Sequence, residues 1–168
     1  MTFTASDGFP YYISLVGPGD FKHYFTACDN YNFLASFNNE TAKFSYAPGK
    51  WNIKQVVGHI TDHERIMMYR ALRFSRKDIT KLSGYDQELL VANSRSLEIE
   101  YADLLEDLKN VRRASISLMN TFSKEQLQLK GFAWKFELTV EEVLKATIGH
   151  EIHHINILKN SIEHHDLF

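Results

Sequence analysis

Residues 139–158 read TVEEVLKATIGHEIHHINIL, and this stretch decides the fold. Thr139 followed three residues later by Glu142 has the form of a capping box, in which the two side chains satisfy backbone N–H groups at a helix start. The inner face that follows recurs at three- and four-residue steps and includes Val143, Thr147, Ile155 and Leu158. The stretch therefore predicts an amphipathic helix that runs to about Glu163.

Two histidines, His150 and His154, continue that inner face one helical turn apart. A lone histidine in such a position is usually a core or boundary residue hydrogen-bonded to a neighbour. Two adjacent imidazoles are costly to bury unless a partner uses their lone pairs, and a metal ion uses both. His153 lies one position from His154 and points about 100° away around the helix, so we interpret it as a non-ligand.

A second capping box, Asn52 with Gln55, opens another long helix that is predicted to end near Arg76. Its inward apolar positions are Ile53, Val56, Val57, Ile60, Met67, Met68 and Ala71.

Two more long helices are predicted from the same periodicity. One covers residues 20–39, with a buried face formed by Phe21, Phe25, Cys28, Asn32 and Ala35. The other begins at Ser96, with Leu97 inward, and runs to about Phe122. Shorter features are a helix around residues 87–91, one turn capped by Ser123 with Gln126, and a loop or short hairpin within residues 127–138.

These helices predict an all-α protein, an antiparallel four-helix bundle in a single domain over residues 1–168. Residues 1–18 are predicted to form an extended N-terminal arm.

His59, in the second helix, is the candidate third ligand, because it lies near mid-span at the edge of the apolar arc. His63, one turn further, is its rival, and Asp62 is either a residue that orients a ligand or a surface carboxylate. Three nitrogen ligands leave a fourth position for water or substrate, which is the arrangement of a catalytic zinc site. The histidines near helix or chain ends are expected to face solvent: His23, His164 and His165.

Residues 150–154 also match H-E-x-x-H, the zinc-protease signature in which Glu151 would be the general base. The context does not continue, since Ile157 and Asn160 stand where metzincins have glycine and histidine. Glu151 and His154 also have the Glu-x-x-His spacing of di-iron bundles, but such sites need a second pair and two more glutamates. We therefore predict neither a protease nor a di-iron site.

The composition is that of an ordinary globular protein, with 44% hydrophobic and 24% charged residues. With 19 basic against 21 acidic side chains, the charge is too balanced for a nucleic-acid partner. No apolar run approaches the roughly 20 residues that span a bilayer, so no membrane partner is expected. Cys28 is the single cysteine, which fits a reducing, cytoplasmic location, and we expect it to be a buried structural thiol.

The segments WNIKQVVGHITD at residues 51–62 and GHEIHH at residues 149–154 resemble two motifs of the DinB/YfiT-like superfamily of small metal-binding helical bundles. The resemblance covers about residues 20–160. It implies one ion, zinc or nickel, held by His59, His150 and His154. Characterised members of the family include bacillithiol-dependent S-transferases and mycothiol-dependent isomerases, so membership does not determine the substrate.

The leading functional hypothesis is therefore a metal-dependent enzyme that adds a low-molecular-weight thiol, bacillithiol or a similar one, to an electrophilic small molecule. The alternatives are a metal-dependent hydrolase and a non-catalytic metal-binding protein, and a homodimer is left open. Arg70, Arg73 and Arg76 either hold the carboxylates of a thiol cofactor or form a solvated basic face. Trp51 and Trp134 either border the site or only pack.

Overall fold

The computed structural model describes residues 2–45 and 47–163. Its N-terminal arm is not extended as predicted, because a 3-10 turn over Ala5–Asp7 leads into helix α1, Phe9–Ser14. The first turn of α1 contains Pro10, a position at which proline favours helix initiation. The apolar side chains of α1 pack against the core, and the arm therefore becomes part of the domain.

The predicted helix over residues 20–39 is broken in two. Helix α2 spans Lys22–Thr26 and helix α3 spans Asp29–Ala35. Between them Ala27 has an extended conformation, with φ −66° and ψ 137°. This single extended residue resets the helical register, so the face predicted for a continuous helix is wrong beyond it.

Cys28 lies at the break and is exposed, contrary to the buried thiol that we predicted. Downstream of it, Leu34 and Phe37 are buried, whereas Asn32 and Ala35 of the predicted face are exposed. The 3.6-residue period is still present, but it begins again at residue 29.

Helix α4, Ile53–Ser75, agrees with the prediction at both ends. The capping box is formed: the Gln55 N–H donates to Asn52 Oδ1 at 2.9 Å, and the Asn52 N–H donates to Gln55 Oε1 at 3.1 Å. Every inward apolar position predicted for this helix is buried. The short helix predicted after it is also present, as α5, Gln87–Ala92.

Helix α6 spans Tyr101–Met119 and begins five residues later than predicted. Leu97, predicted to face inward, is 57% exposed. The true start is determined by tertiary contacts, since the Tyr101 N–H donates to Asn39 Oδ1 and its hydroxyl donates to the Leu34 carbonyl oxygen. These partners lie about 60 residues upstream.

The remaining elements follow the predicted caps. Helix α7, Lys124–Leu127, begins at the Ser123 capping box, and the hairpin is formed by β1, Lys130–Ala133, paired antiparallel with β2, Phe136–Thr139. Helix α8, Val140–Glu163, is capped by Thr139, whose hydroxyl accepts from the Glu142 N–H. None of the described helices is both long and apolar enough to cross a membrane.

The four-helix bundle consists of α4, α6, α8 and the broken helix made of α2 and α3, which together count as one. Helices α4 and α6 run in the same direction, because Lys54 binds the Leu97 carbonyl oxygen near the start of both and Arg65 binds Asp107 further along both. The connection over residues 76–100 therefore returns along the length of the bundle. Helix α5 lies within this connection.

Two apolar clusters fill the interior, one at each end. The first half of α4 and the second half of α8 share one cluster, and the opposite halves share the other, so these two helices are antiparallel. On α4 the buried members of the two clusters are separated by residues 61–66, and on α8 by residues 149–154. The histidine pair of α8 lies in this middle layer; on α4, His63 lies within the layer and His59 lies at its edge, next to Ile60.

Candidate metal centre

Three histidine rings meet in the middle layer. The Nε2 atom of His150 lies 2.9 Å from Nε2 of His59 and 3.2 Å from Nε2 of His154. One nitrogen from each of the three lies within 4.8 Å of the others, and this group could hold a metal ion. His59 and His150 are buried, and His154 is half-buried. The structure thus brings together the three residues singled out in the sequence.

The spacing of the three nitrogen atoms fits a metal ion. Ligands placed 2.0–2.1 Å from an ion in tetrahedral geometry lie about 3.3 Å from one another. The observed separations of 2.9 and 3.2 Å are close to that value. Two of these contacts converge on the single Nε2 atom of His150, which cannot serve both neighbours by exchanging one proton.

All three imidazoles are neutral at physiological pH, as metal ligation requires. Burial lowers the pKa of His59 to about 4, with a further contribution from the charge of His153. Burial also holds the pKa of His150 well below its usual range, with His63 the next contributor, and has the same effect on His154, with His59 next. No carboxylate is among the causes of these shifts.

His63 and His153 border the cluster without belonging to it. The His63 ring stacks on His150 with centroids 3.6 Å apart, and its Nδ1 atom bonds the Tyr85 hydroxyl. His153 Nδ1 bonds the Tyr11 hydroxyl at 3.1 Å. Within the described residues, His63 Nε2 and His150 Nδ1 are buried without a hydrogen-bond partner. His23 is exposed, and His164 and His165 lie outside the described residues.

Glu151, the glutamate of the H-E-x-x-H pattern, is engaged elsewhere. Its carboxylate accepts from Arg112 of α6 and from the Asn30 side chain at 2.7 Å. Arg112 also binds both oxygens of Glu64, which is 1% exposed. Asp62 pairs with Arg65 at the surface. Neither acidic residue near the motifs therefore faces the three histidines.

This buried charge cluster of Glu64, Arg112, Glu151 and Asn30 was not predicted. Glu64 lies four residues after Ile60 on α4, and its inward position was the available signal. The partners could not be recognised from the sequence, because they come from three different helices.

Helix α1 covers the cluster from one side. The Tyr12 ring lies edge-on to His150, with centroids 5.2 Å apart. This approach requires Gly149, since a Cβ at that position would lie 1.8 Å from the Tyr12 carbonyl oxygen. Trp51 also borders the cluster, with its ring centroid 4.7 Å from that of His59 and 6.2 Å from that of His154.

Two cavities open next to the histidines. One, of about 200 Å³, is lined by His154 and Trp51 together with Lys50, Gln87 and Glu88. The other, of about 140 Å³, lies on the His150 side, and Trp134 and Gln87 are among its lining residues. Gln87, at the start of α5, lines both, so the connection between α4 and α6 forms part of the site wall.

The three arginines singled out in the sequence at the end of α4, Arg70, Arg73 and Arg76, differ in their surroundings. Arg70 is 3% exposed and lines the 140 Å³ cavity, so the expectation of a solvated face is wrong for it. Arg73 pairs with Asp78, and Arg76 is exposed. Cys28 lines a separate cavity of about 440 Å³ against α6, in which none of the three clustered histidines takes part.

The fold and this histidine arrangement define a small helical-bundle protein with a candidate metal centre, and comparison with known proteins gives its family. The model of the DinB superfamily matches residues 29–158. The chain belongs to the DinB superfamily.

Individual relatives are more distant. A protein of Oceanobacillus iheyensis, provisionally named a metal-dependent hydrolase, is 27% identical over 128 residues, which are 74% of this chain and 72% of that protein. YfiT from Bacillus subtilis, described as a probable metal-dependent hydrolase with an unusual four-helix bundle topology, has a TM-score of 0.73 at 16% identity, covering 98% of this chain and 91% of YfiT. A mycothiol-dependent maleylpyruvate isomerase has a TM-score of 0.65 at 11% identity, covering 92% of this chain and 62% of the isomerase. At these identities the two structures share the fold.

Proposed function

We propose that His59, His150 and His154 bind one divalent ion, zinc or nickel, and that the protein is a metal-dependent enzyme acting on a small molecule. The convergence of three neutral imidazole nitrogens at near-tetrahedral spacing supports this assignment. Imidazole suits both metals. The metal-dependent relatives and the DinB fold are consistent with it.

The site has the features of a catalytic rather than a structural centre. Structural zinc sites are closed by four protein ligands, whereas catalytic sites have three and leave one position open. Cavities lie next to both His150 and His154, so a small molecule has room beside the histidines. When bound there, a divalent ion supplies Lewis-acid chemistry that lowers the pKa of a water or a thiol that it coordinates.

The reaction we propose is the attack of an external low-molecular-weight thiol on an electrophilic carbon, with displacement of an oxygen or halide leaving group. The observation that carries it is that Glu151 is engaged with Arg112 and Asp62 with Arg65, so neither carboxylate is available to the histidines as a general base. A thiol, with an ordinary pKa near 8.5, needs less assistance to lose its proton than water does. The thiol comes from outside, because Cys28 lies in a different cavity.

In this reaction the thiol S–H bond is broken, and the sulfur forms a bond to the electrophilic carbon. The bond from that carbon to its leaving oxygen or halide breaks, and the departing group takes the electron pair. The thiol proton passes to solvent or to the departing oxygen. The half-buried Trp51 at the edge of the histidine cluster excludes part of the solvent from the reacting atoms.

The test uses protein loaded with cobalt(II), which gives a charge-transfer absorption band when a thiolate binds the ion. We expect bacillithiol, or another thiol of a panel that includes glutathione and cysteine, to produce a saturable band. We also expect transfer of that thiol to a chromogenic electrophile to be faster than with His150→Ala. The absence of a band with every thiol in the panel would overturn the thiol proposal.

A second candidate is hydrolysis, because Glu88 lines the same cavity as His154 and a carboxylate can act as a general base toward water. The names of the Oceanobacillus iheyensis protein and of YfiT support this alternative. Glu88→Gln distinguishes the two reactions. It should abolish ester hydrolysis if hydrolysis is the activity and leave thiol transfer unchanged if transfer is, with Glu98→Gln, an exposed glutamate paired with Arg95, as the control.

A further inference from the structure

Arg70 is a buried cation without an acidic partner among the described residues. Its guanidinium donates to the Ser83 carbonyl oxygen at 2.9 Å and contacts the Met67 sulfur at 3.4 Å. A guanidinium has five N–H donors, and none of those of Arg70 meets a carboxylate. Burial lowers the pKa of Arg70, and among the described residues the Tyr85 hydroxyl is the one group that acts in the opposite direction.

The contrast with Arg112 shows how the fold normally treats a buried guanidinium. Arg112 binds two carboxylates, Glu64 and Glu151. A buried charge is expensive unless it is paired, and a group left unpaired commonly has a functional reason. Arg70 has aromatic rings instead, with Phe9 and Tyr85 at 5.9 and 5.7 Å from its guanidinium carbon.

The guanidinium of Arg70 extends along α4 toward the histidine cluster. Arg70 follows His63 by seven residues on α4, which is two helical turns and roughly 10 Å along the axis. Helical side chains lean toward the N-terminus, so the guanidinium extends back toward the histidines. Arg70, His63 and His150 line one cavity of about 140 Å³.

The lining residues and the volume of that cavity indicate which kind of ligand it can bind. The lining residues are largely aromatic, with Phe9, Tyr12, Tyr85, Trp134 and Phe136. A volume of about 140 Å³ is well below the roughly 300–1,000 Å³ of a pocket for a drug-sized ligand. The occupant is therefore a small molecule, or one end of a larger one, with an apolar body and an anionic group.

We propose that Arg70 binds the carboxylate of a small, partly apolar acid in this cavity. The flat fork of the guanidinium matches a carboxylate, and one such residue balances its single charge. A phosphate dianion would need a second cation, and among the described residues Arg70 is the only lysine or arginine lining this cavity. If the proposed function holds, the electrophilic substrate is itself a carboxylic acid, held so that its other end approaches the three histidines.

The experiment measures binding of benzoate, neutral benzamide and phenyl phosphate by calorimetry. Each probe is titrated into zinc-loaded protein and into chelator-treated protein, because a carboxylate can also bind a metal directly. We expect benzoate to bind at least tenfold more tightly than benzamide in both forms, and more tightly than phenyl phosphate. Equal binding of benzoate and benzamide, or preferential binding of phenyl phosphate, would overturn the proposal.

Variants identify the residue. Arg70→Met should weaken benzoate binding at least tenfold in both forms, and Arg70→Lys should weaken it less, because it retains the charge but not the fork. If Arg70→Met fails to fold, the reduced benzoate affinity of Arg70→Lys tests the role of the same residue. Arg73→Gln, one turn along the same helix and paired with Asp78, should change affinity by less than twofold.

Two outcomes separate this inference from the metal centre. If the unsubstituted protein does not bind zinc at all and its benzoate binding still depends on Arg70, the inference is supported and the proposed function is contradicted. Benzoate binding that disappears on chelation but survives Arg70→Met would place the carboxylate on the metal and overturn the inference.

Discussion

Arg112 of α6 holds Glu151 of α8 in a buried ion pair, one residue from the histidine that lies at the centre of the cluster. Successive residues of a helix point about 100° apart, so the histidine and the glutamate serve different faces of α8. The H-E-x-x-H pattern is therefore divided between two sites. One face carries the candidate metal centre, and the other helps to hold α4, α6 and α8 together.

This division predicts that Arg112→Met destabilises the protein without removing its metal. The substitution leaves Glu64 and Glu151 buried without their shared partner, and breaking a buried ion pair in this way costs about 3–5 kcal/mol. Urea unfolding at neutral pH measures the loss. The metal content of the folded fraction should equal that of the unsubstituted protein.

The control is Arg113→Met, because Arg113 is the next residue and pairs with Glu106 at the surface. It should change the free energy of unfolding by less than about 1 kcal/mol. If Arg112→Met lost metal and kept its stability, Glu151 would belong to the metal site and the division would be wrong.

The pKa shifts predict how the metal-free protein responds to pH. The pKa of His59 is about 4 in the folded state, against an ordinary value of 6.5. As the pH falls from 6.5 to 4, His59 therefore becomes protonated in the unfolded chain but stays neutral in the folded protein. Stability is full above pH 6.5 and declines through that window, by roughly 3 kcal/mol for His59 alone.

Chemical unfolding of chelator-treated protein between pH 4 and 8 tests this expectation. His59→Gln, which cannot take up a proton, should reduce the slope between pH 4 and 6.5 and leave the plateau above it flat. A wild-type slope of zero in this window would show that the histidines are not buried as neutral groups.

Substitution of Gly149 is predicted to release the N-terminal helix α1 from the rest of the domain. Gly149→Ala places a methyl group against the Tyr12 backbone, which can only move away, so α1 should detach at a cost of about 1–3 kcal/mol. Faster amide hydrogen exchange over residues 9–14 would report the detachment. Since α1 is not part of the histidine group, metal should still be bound.

Gly58→Ala is the matched control, as it is the same substitution within a long helix. Its added methyl group meets the Ser96 hydroxyl, a side-chain atom that can rotate away. Exchange over residues 9–14 should not change in this variant. Unchanged exchange in Gly149→Ala as well would mean that α1 does not depend on the close approach.

The parts of the structure that were predictable are those encoded locally. The starts of α4 and α8 follow from Asn52 with Gln55 and from Thr139 with Glu142, residue pairs three positions apart. The pairing of two histidines on one face of α8 follows from helix geometry alone. Their convergence with His59 required only that α4 and α8 pack together, which two long amphipathic helices favour.

The predictions that failed depended on contacts between distant residues. The start of α6 is determined by bonds from Tyr101 to Leu34 and Asn39, so the helical period that continued back to Leu97 was misleading. The break at Ala27 is likewise a property of the packed bundle, and the shared direction of α4 and α6 is a feature that neither helix encodes by itself. Helical periodicity identifies which residues share one face of a helix, but it does not determine which helices pack against that face.

The most direct test of the account is the metal content of four purified single variants, measured by elemental analysis after growth with zinc and nickel. The unsubstituted protein should contain about one ion per chain. His59→Ala, His150→Ala and His154→Ala should each lose most of it, whereas His153→Ala, whose ring bonds Tyr11, should retain it. Retention of metal by all three cluster variants, or greatest loss in His153→Ala, would contradict the assignment of the metal centre.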